Sequence, residues 1–281
     1  MKSDLLFDDK KILEAGSVYT NGKSVLKKLS RGILREDFSV KDAKTARALS
    51  RPIGDYTLLN IGEYTDAGDK VEYIIDLIKK VLGEYLGVTQ GKRYLVVGLG
   101  NRYITADTLG HEVVSRIVVS NNNTIVNAIV PSVKGLTGIE SCDIVEGVVK
   151  KTRPDCVIVV DSLCASDIKR LGSCIQFTNS GLTPGAGTRS PRKRLDKRTL
   201  GCDVVSIGVP FVVFVSTIID CVLTPQDEVT MQNTGNKPNR ADFMGLVMTP
   251  SDIDARVEEL GKMISTAINK TLLNVSGYSD F

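Results

Sequence analysis

Apolar positions along the chain fall into two regimes. From Lys70 onward, Val71, Ile74, Ile75, Ile78, Val81 and Leu82 recur at helical spacing, which predicts an amphipathic helix ending near Gly87. Beyond it, short apolar runs alternate with helical stretches. YLVVG (94–98), TIVNAIV (124–130), CVIVV (156–160), SCIQFT (173–178) and DVVSIGV (203–209) read as strands. ADTLGHEVVSRIV (106–118) and SCDIVEGVVKK (141–151) read as helices. β-branched runs separated by helices predict an α/β three-layer domain, with a mostly parallel central sheet flanked by helices on both faces. The most apolar stretch, Val204–Ile219, is too short to span a membrane and contains Pro210, so it reads as a buried strand followed by a buried helix. A last helix is expected to open with Thr249 as N-cap, Pro250 at the first position and Asp252 in the first turn. Residues 1–60 read as polar and irregular, and about 224–248 as an inserted polar excursion. No internal repeat or flexible linker interrupts the chain, so one domain over 1–281 is expected.

Charge and rare residues narrow the chemistry. Thirty-six Lys and Arg against 33 Asp and Glu give +3, too near neutral for a dedicated nucleic-acid binder. His111 is the single histidine, which closes every mechanism that needs two and disfavours His-rich zinc sites. None of the six cysteines forms a C-x-x-C pair, and several lie in apolar runs, so a reduced, structural, cytoplasmic set is expected. MKSDLLFDDKK turns acidic before an apolar segment forms, so no secretory signal is read there. Neither a metal nor a cofactor is expected, nor a membrane.

In an open α/β sheet, ligands collect at the carboxyl ends of the strands. That rule selects GLGNRYITAD (98–107), the segment opening at Asp161, and NSGLTPGAGTRSPRKR (179–194). A dinucleotide reading of the first loop is weak, because Tyr103 stands where the third glycine belongs. Asp107 and Asp161 each come at or beyond a strand end and could face one cleft. Two close carboxyls share a proton, so the charged one can activate water while the protonated one donates to a substrate carbonyl. Against this stand two plainer readings, Asp107 as an N-cap and Asp161 in a turn. Backbone amides of the third loop could bind an oxyanion or a peptide, or the loop is only a surface connection. Its basic run (Arg189, Arg192, Lys193, Arg194, Lys197, Arg198) could attract an acidic partner or simply be solvated. His111, four residues after Asp107, reads as a surface or supporting residue.

With those loops in view, the sequence resembles the germination proteases of endospore-forming bacteria. The resemblance runs through RPIGDYTLL (51–59), VVGLGNRYITADTLG (96–110), VVDSLCA (159–165), NSGLTPGAG (179–187), TLGCDVVSIGVP (199–210) and LVMTPSDID (246–254). It implies an atypical aspartic-type endopeptidase, similar in fold to hydrogenase maturation proteases. It further implies degradation of small acid-soluble spore proteins in the spore core during germination, with indirect contact with spore DNA through that substrate. The family's two essential aspartates fall on blocks that match at Asp107 and Asp161. Asn101, Thr183, Gly185, Gly187 and Arg189 are the expected substrate-binding or supporting residues. Family members are made as zymogens, and MKSDLLFDD resembles their processing region, which here leaves almost no propeptide to lose. Phe211 and Phe214 stand where the family typically shows threonine and aspartate, and Asn179 where it shows an acidic residue. A catalytically silent paralogue that binds acidic spore proteins is therefore the alternative, and a small-molecule hydrolase or phosphorylase a third. A homo-oligomer is left open.

Overall fold

The computed structural model describes residues 3–8, 24–64, 68–185, 193–222, 243 and 245–273. The expected strands are present and form the centre of a single sheet. β4 (Arg93–Gly98) lies between β6 (Ile125–Ile129) and β7 (Cys156–Ala165), and β7 pairs onward with β9 (Asp203–Phe214), all in parallel. Around this parallel core the sheet is antiparallel. On one side, β8 (Cys174–Thr178) joins β9, followed by β3 (Gly54–Asn60), β2 (Leu34–Val40) and β1 (Val25–Lys28). The short strands β5 (Ser120–Asn121) and β10 (Val247–Met248) pair with β6 and β9. The α/β class holds, and the sheet is mixed, with parallel pairing confined to its middle.

Side chains alternate across the pleat, and the two faces are covered differently. One face carries Tyr94 and Val96 of β4, Ile158 and Val160 of β7, and Val205, Ile207 and Val209 of β9. It is sealed by α2 (Gly68–Leu86), α3 (Leu109–Val114) and α7 (Ile253–Leu273). The other face holds two separate apolar clusters. One packs Leu95, Val97, Val157 and Val159 under α4 (Ser141–Thr152) and α5 (Lys197–Leu200). The second packs Phe38, Tyr56, Leu58 and Leu163 under α1 (Ala43–Leu49) and the N-terminal residues Leu5, Leu6 and Phe7.

Several expectations are corrected. Among the described residues, the region up to residue 60 supplies three strands and an α-helix rather than irregular chain. Its strands look polar because their charges are matched laterally, as where Arg35 pairs with both Asp37 and Glu84. The helix expected over 106–118 is shorter: Thr105–Asp107 is a single 3-10 turn and α3 spans only Leu109–Val114. Strand β7 does not end before Asp161 but runs on to Ala165, because β9 continues beside it to Phe214. Helix α6 (Val215–Val222) follows β9, half-buried where described rather than buried. Helix α7 starts at Ile253, so Thr249 is not its cap. Most of the expected excursion (223–242 and 244) lies outside the described residues.

Candidate active site

Between the two clusters the second face is left uncovered, and there the strands turn polar. Asp161 pairs in register with Gly208, and Gly208 with Gln176. Thr178 and Ser206 sit one step along the same side. These residues floor a cleft of about 330 Å³, walled by Asp4, Arg51, Tyr56, Asp107, Leu182, Thr183, Gly185, Arg194 and Phe214 among others.

Asp161 is buried, with 7% of its surface exposed, within a strand between Val160 and Ser162. Burial pushes its carboxyl well above the usual range, the nearby charges of Asp107 and Asp4 push the same way, and the Ser162 N–H opposes them weakly. Asp107 arrives from the other direction. Strand β4 stops at Gly98, just where the Leu99 N–H donates to Val160 O (2.8 Å). The chain then turns back so that Asn101 N–H donates to Asp107 Oδ2 (2.7 Å). Gly100, at φ +114°, permits this reversal: a Cβ there would lie 1.9 Å from the Asp107 carbonyl oxygen. Burial raises the Asp107 carboxyl too, and the Asn101 N–H partly offsets it. Both plainer readings fall, since Thr108 is the N-cap of α3, without a side-chain bond, and Asp161 is mid-strand.

The supporting residues divide. Asn101 acts through its backbone on Asp107, while its Oδ1 accepts from Tyr103 N (3.0 Å). Thr183 and Gly185 line the cleft, and Thr183 Oγ1 accepts from Arg194 (3.1 Å). Gly187 and Arg189 lie outside the described residues. His111 is on α3, half-buried, and not among the described residues lining the cleft. Of Phe211, Phe214 and Asn179, only Phe214 lines the cleft. Phe211 is fully buried in the helix-covered core, and Asn179 Oδ1 accepts from Asp55 N (2.8 Å).

Sequence reading missed Asp4, Arg51, Tyr56 and Gln176 in the lining. The RPIGDYTLL block carried Arg51 and Tyr56, and its resemblance was the one signal that could have found them. The five cysteines with described side chains form no disulfide with one another, four of them are buried, and burial pushes the Cys164 and Cys174 thiols up to about 12. No described helix is long and apolar enough to cross a membrane.

Comparison with known proteins identifies relatives over most of the chain. The germination protease family model matches residues 20–225. A germination protease of Clostridium tetani is 31% identical, covering 97% of this chain and 95% of that one. One from Caldanaerobacter subterraneus is 30% identical, covering 92% of each. Among solved structures, the NiFe hydrogenase maturation protease HycI from Thermococcus kodakarensis is 20% identical, covering 67% of this chain and 98% of that one, with a TM-score of 0.37. A family model spanning most of the sequence and relatives aligned along more than nine-tenths of both chains lead to one assignment: the chain belongs to the germination protease family.

Proposed function

We propose that the cleft is the centre of an aspartic-type endopeptidase that hydrolyses small acid-soluble spore proteins during germination, with Asp107 and Asp161 as its acid–base pair. The supporting observation is that two carboxyls from separate elements enter one cleft, each with its hold on a proton strengthened by burial. Asp161, the more buried and flanked by two acidic neighbours, keeps the proton. Asp107, with a backbone N–H on its carboxylate, takes the charge. In the forward step Asp107 removes a proton from water as the oxygen attacks the scissile carbonyl, and Asp161 protonates the carbonyl oxygen. Collapse of the tetrahedral adduct returns that proton to Asp161 while Asp107 protonates the departing amine, which restores the pair. Such a route fits a chain with a single histidine. The spore core, and DNA reached through the bound substrate, are the setting this substrate implies.

Phe214 favours a second reading. An apolar side chain on the cleft wall, where the family typically shows aspartate, fits a paralogue that holds acidic spore proteins without cutting them. One experiment separates the two. Asp107→Asn and Asp161→Asn are incubated with an acidic spore protein beside the parent chain, and fragments are resolved by mass spectrometry. The peptidase reading expects discrete fragments from the parent and a loss of at least about 10³-fold in each variant. Cleavage persisting in both variants refutes the pair. Salt-sensitive binding without fragments from the parent establishes the silent binder.

A further inference from the structure

The N-terminal segment brings two acidic residues to the sheet, and they are treated very differently. Asp8 is neutralised: its Oδ1 lies 2.8 Å from Arg170 Nε, and its Oδ2 accepts from Ser3 Oγ (2.7 Å) and Ser166 N (2.6 Å). Asp4 has no ion pair among the described residues. Its Oδ2 accepts a single backbone bond from Cys164 N (2.9 Å), and it lines the cleft that holds Asp107 and Asp161.

Its place is over-determined. The Asp4 N–H donates to Cys164 O (2.8 Å), and Leu6 N–H donates to Gln176 Oε1 (2.9 Å). Arg51 straps the segment from outside, donating to the carbonyls of Ser3 (2.5 Å), Asp4 (3.0 Å) and Leu5 (2.8 Å). Leu5 and Leu6 are fully buried behind it. A carboxyl serving only to hold the segment would be matched as Asp8 is. Nor does the trio read as an ion site, since no group of three or more acidic, histidine or cysteine side chains among the described residues is arranged to hold a metal.

We propose that Asp4 is a positioning residue of this site, a third carboxyl fixed by the Arg51 strap whose charge keeps one proton resident on the aspartate pair. The proposal rests on the peptidase reading above. Facing Asp4 are Asp107 from the loop after β4, Asp161 and Cys164 from β7, Arg51 and Tyr56 from the α1–β3 region, and Arg194 across the cleft. The Arg51 charge acts on Asp4 through space, but its guanidinium donates to three main-chain carbonyls and forms no ion pair with the Asp4 carboxyl among the described residues. Burial raises the Asp4 carboxyl, while the Cys164 N–H and the Arg51 charge favour its ionised form; once ionised, Asp4 is a negative neighbour of Asp161 and supports the proton held there.

The test is a cycle of Asp4→Asn and Asp161→Asn, singly and together, with Asp4→Glu as the conservative variant. The first readout is the pH profile of spore-protein cleavage. Removing a negative neighbour lets the pair lose its proton sooner, so in Asp4→Asn the alkaline limb moves to lower pH and activity at that end falls several-fold. Asp4→Glu restores the parent limb. A merely structural Asp4 would lower activity evenly and leave the limb in place, which overturns the proposal. The second readout is the pH dependence of Tm, which needs no turnover. Asp4→Asn is expected to change that dependence less when residue 161 is already Asn. An equal change in both backgrounds overturns the proposal. If no chain in the set cleaves the substrate, the peptidase reading fails, while the Tm cycle still decides whether Asp4 and Asp161 are coupled.

Discussion

Gly100 is the sharpest place to ask whether the position of Asp107 matters. Its φ of +114° lies where an L side chain is strained, and a Cβ would meet the Asp107 carbonyl oxygen at 1.9 Å and Oδ1 at 3.1 Å. An ordinary contact begins near 3.4 Å, so in Gly100→Ala the Asp107 main chain must retreat by about 1.5 Å. A displacement of roughly 1 Å of a catalytic group costs about 10²-fold in rate, so kcat/KM should fall by at least that much. Forcing alanine to this dihedral and crowding the loop together should cost about 2–4 kcal/mol of stability. That corresponds to a Tm lowered by roughly 3–7 °C in a chain of this size.

The control is Gly201→Ala. Gly201 also has a positive φ, +73°, at the end of α5, but its Cβ would meet nothing within 4 Å. It should lose about 1–2 kcal/mol and no activity. Both variants are compared with the parent at a temperature where all three are folded by circular dichroism, using a fluorogenic peptide cut from an acidic spore protein. Gly100→Ala folded yet retaining kcat/KM within about threefold of the parent would show that the loop tolerates the shift, or that Asp107 is not at the chemistry.

Asp161→Asn should trade activity for stability. The carboxyl holds its proton more tightly folded than at its ordinary value of 3.8, so the native state binds the extra proton. The contribution of this group to the parent's stability is then greatest below pH 3.8 and is lost as pH rises through the folded-state value. The variant lacks that decline, so its Tm at pH 7 should exceed the parent's and its pH curve should be flatter; a lower Tm at pH 7 contradicts the assignment. Arg170→Met should leave the Asp8 carboxylate, 2% exposed, without its cation. Breaking such a pair from one side costs about 3 kcal/mol, visible as a lower urea midpoint at unchanged m-value.

What the sequence revealed depended on whether a strand carried its own apolar run. YLVVG and CVIVV announced β4 and the first half of β7 because both faces there are buried. SCDIVEGVVKK announced α4 because one stripe packs and the other is solvated. The strands β2 and β3 were illegible for the opposite reason. LREDFSV holds its charges in lateral contacts, Arg35 to Asp37 and Glu84, and Thr57 to Asp37 (2.8 Å), which no periodicity encodes. Asp161 misled in a more useful way. A charge after five apolar residues looks like the end of a strand, yet β7 passes through it. A site that breaks the local pattern is where such reading is expected to fail. Asp4 left no trace of its role, since its nearness to Asp161 comes from the docking of a segment more than 150 residues away in sequence.

The geometry also separates what the acidic centre does from what holds the molecule together. Asp161 occupies the inward position that Val157 and Val159 occupy four and two residues earlier, and those are fully buried under α4 and α5. At Asp161 the helical cover has ended, and the second cover, α1 with Leu5 and Leu6, has yet to close over Leu163. The cleft therefore exists because two coverings of one face do not meet. It needs no particular side chain at its floor. The opposite face runs without a break from Tyr94 across to Phe177 under α2, α3 and α7, so the fold's stability resides there. A carboxyl that resists ionisation can be carried at the gap because burial of the rest of the sheet outweighs its cost. By the same reasoning, changes at the gap alter chemistry first and folding second, whereas changes beneath α7 do the reverse.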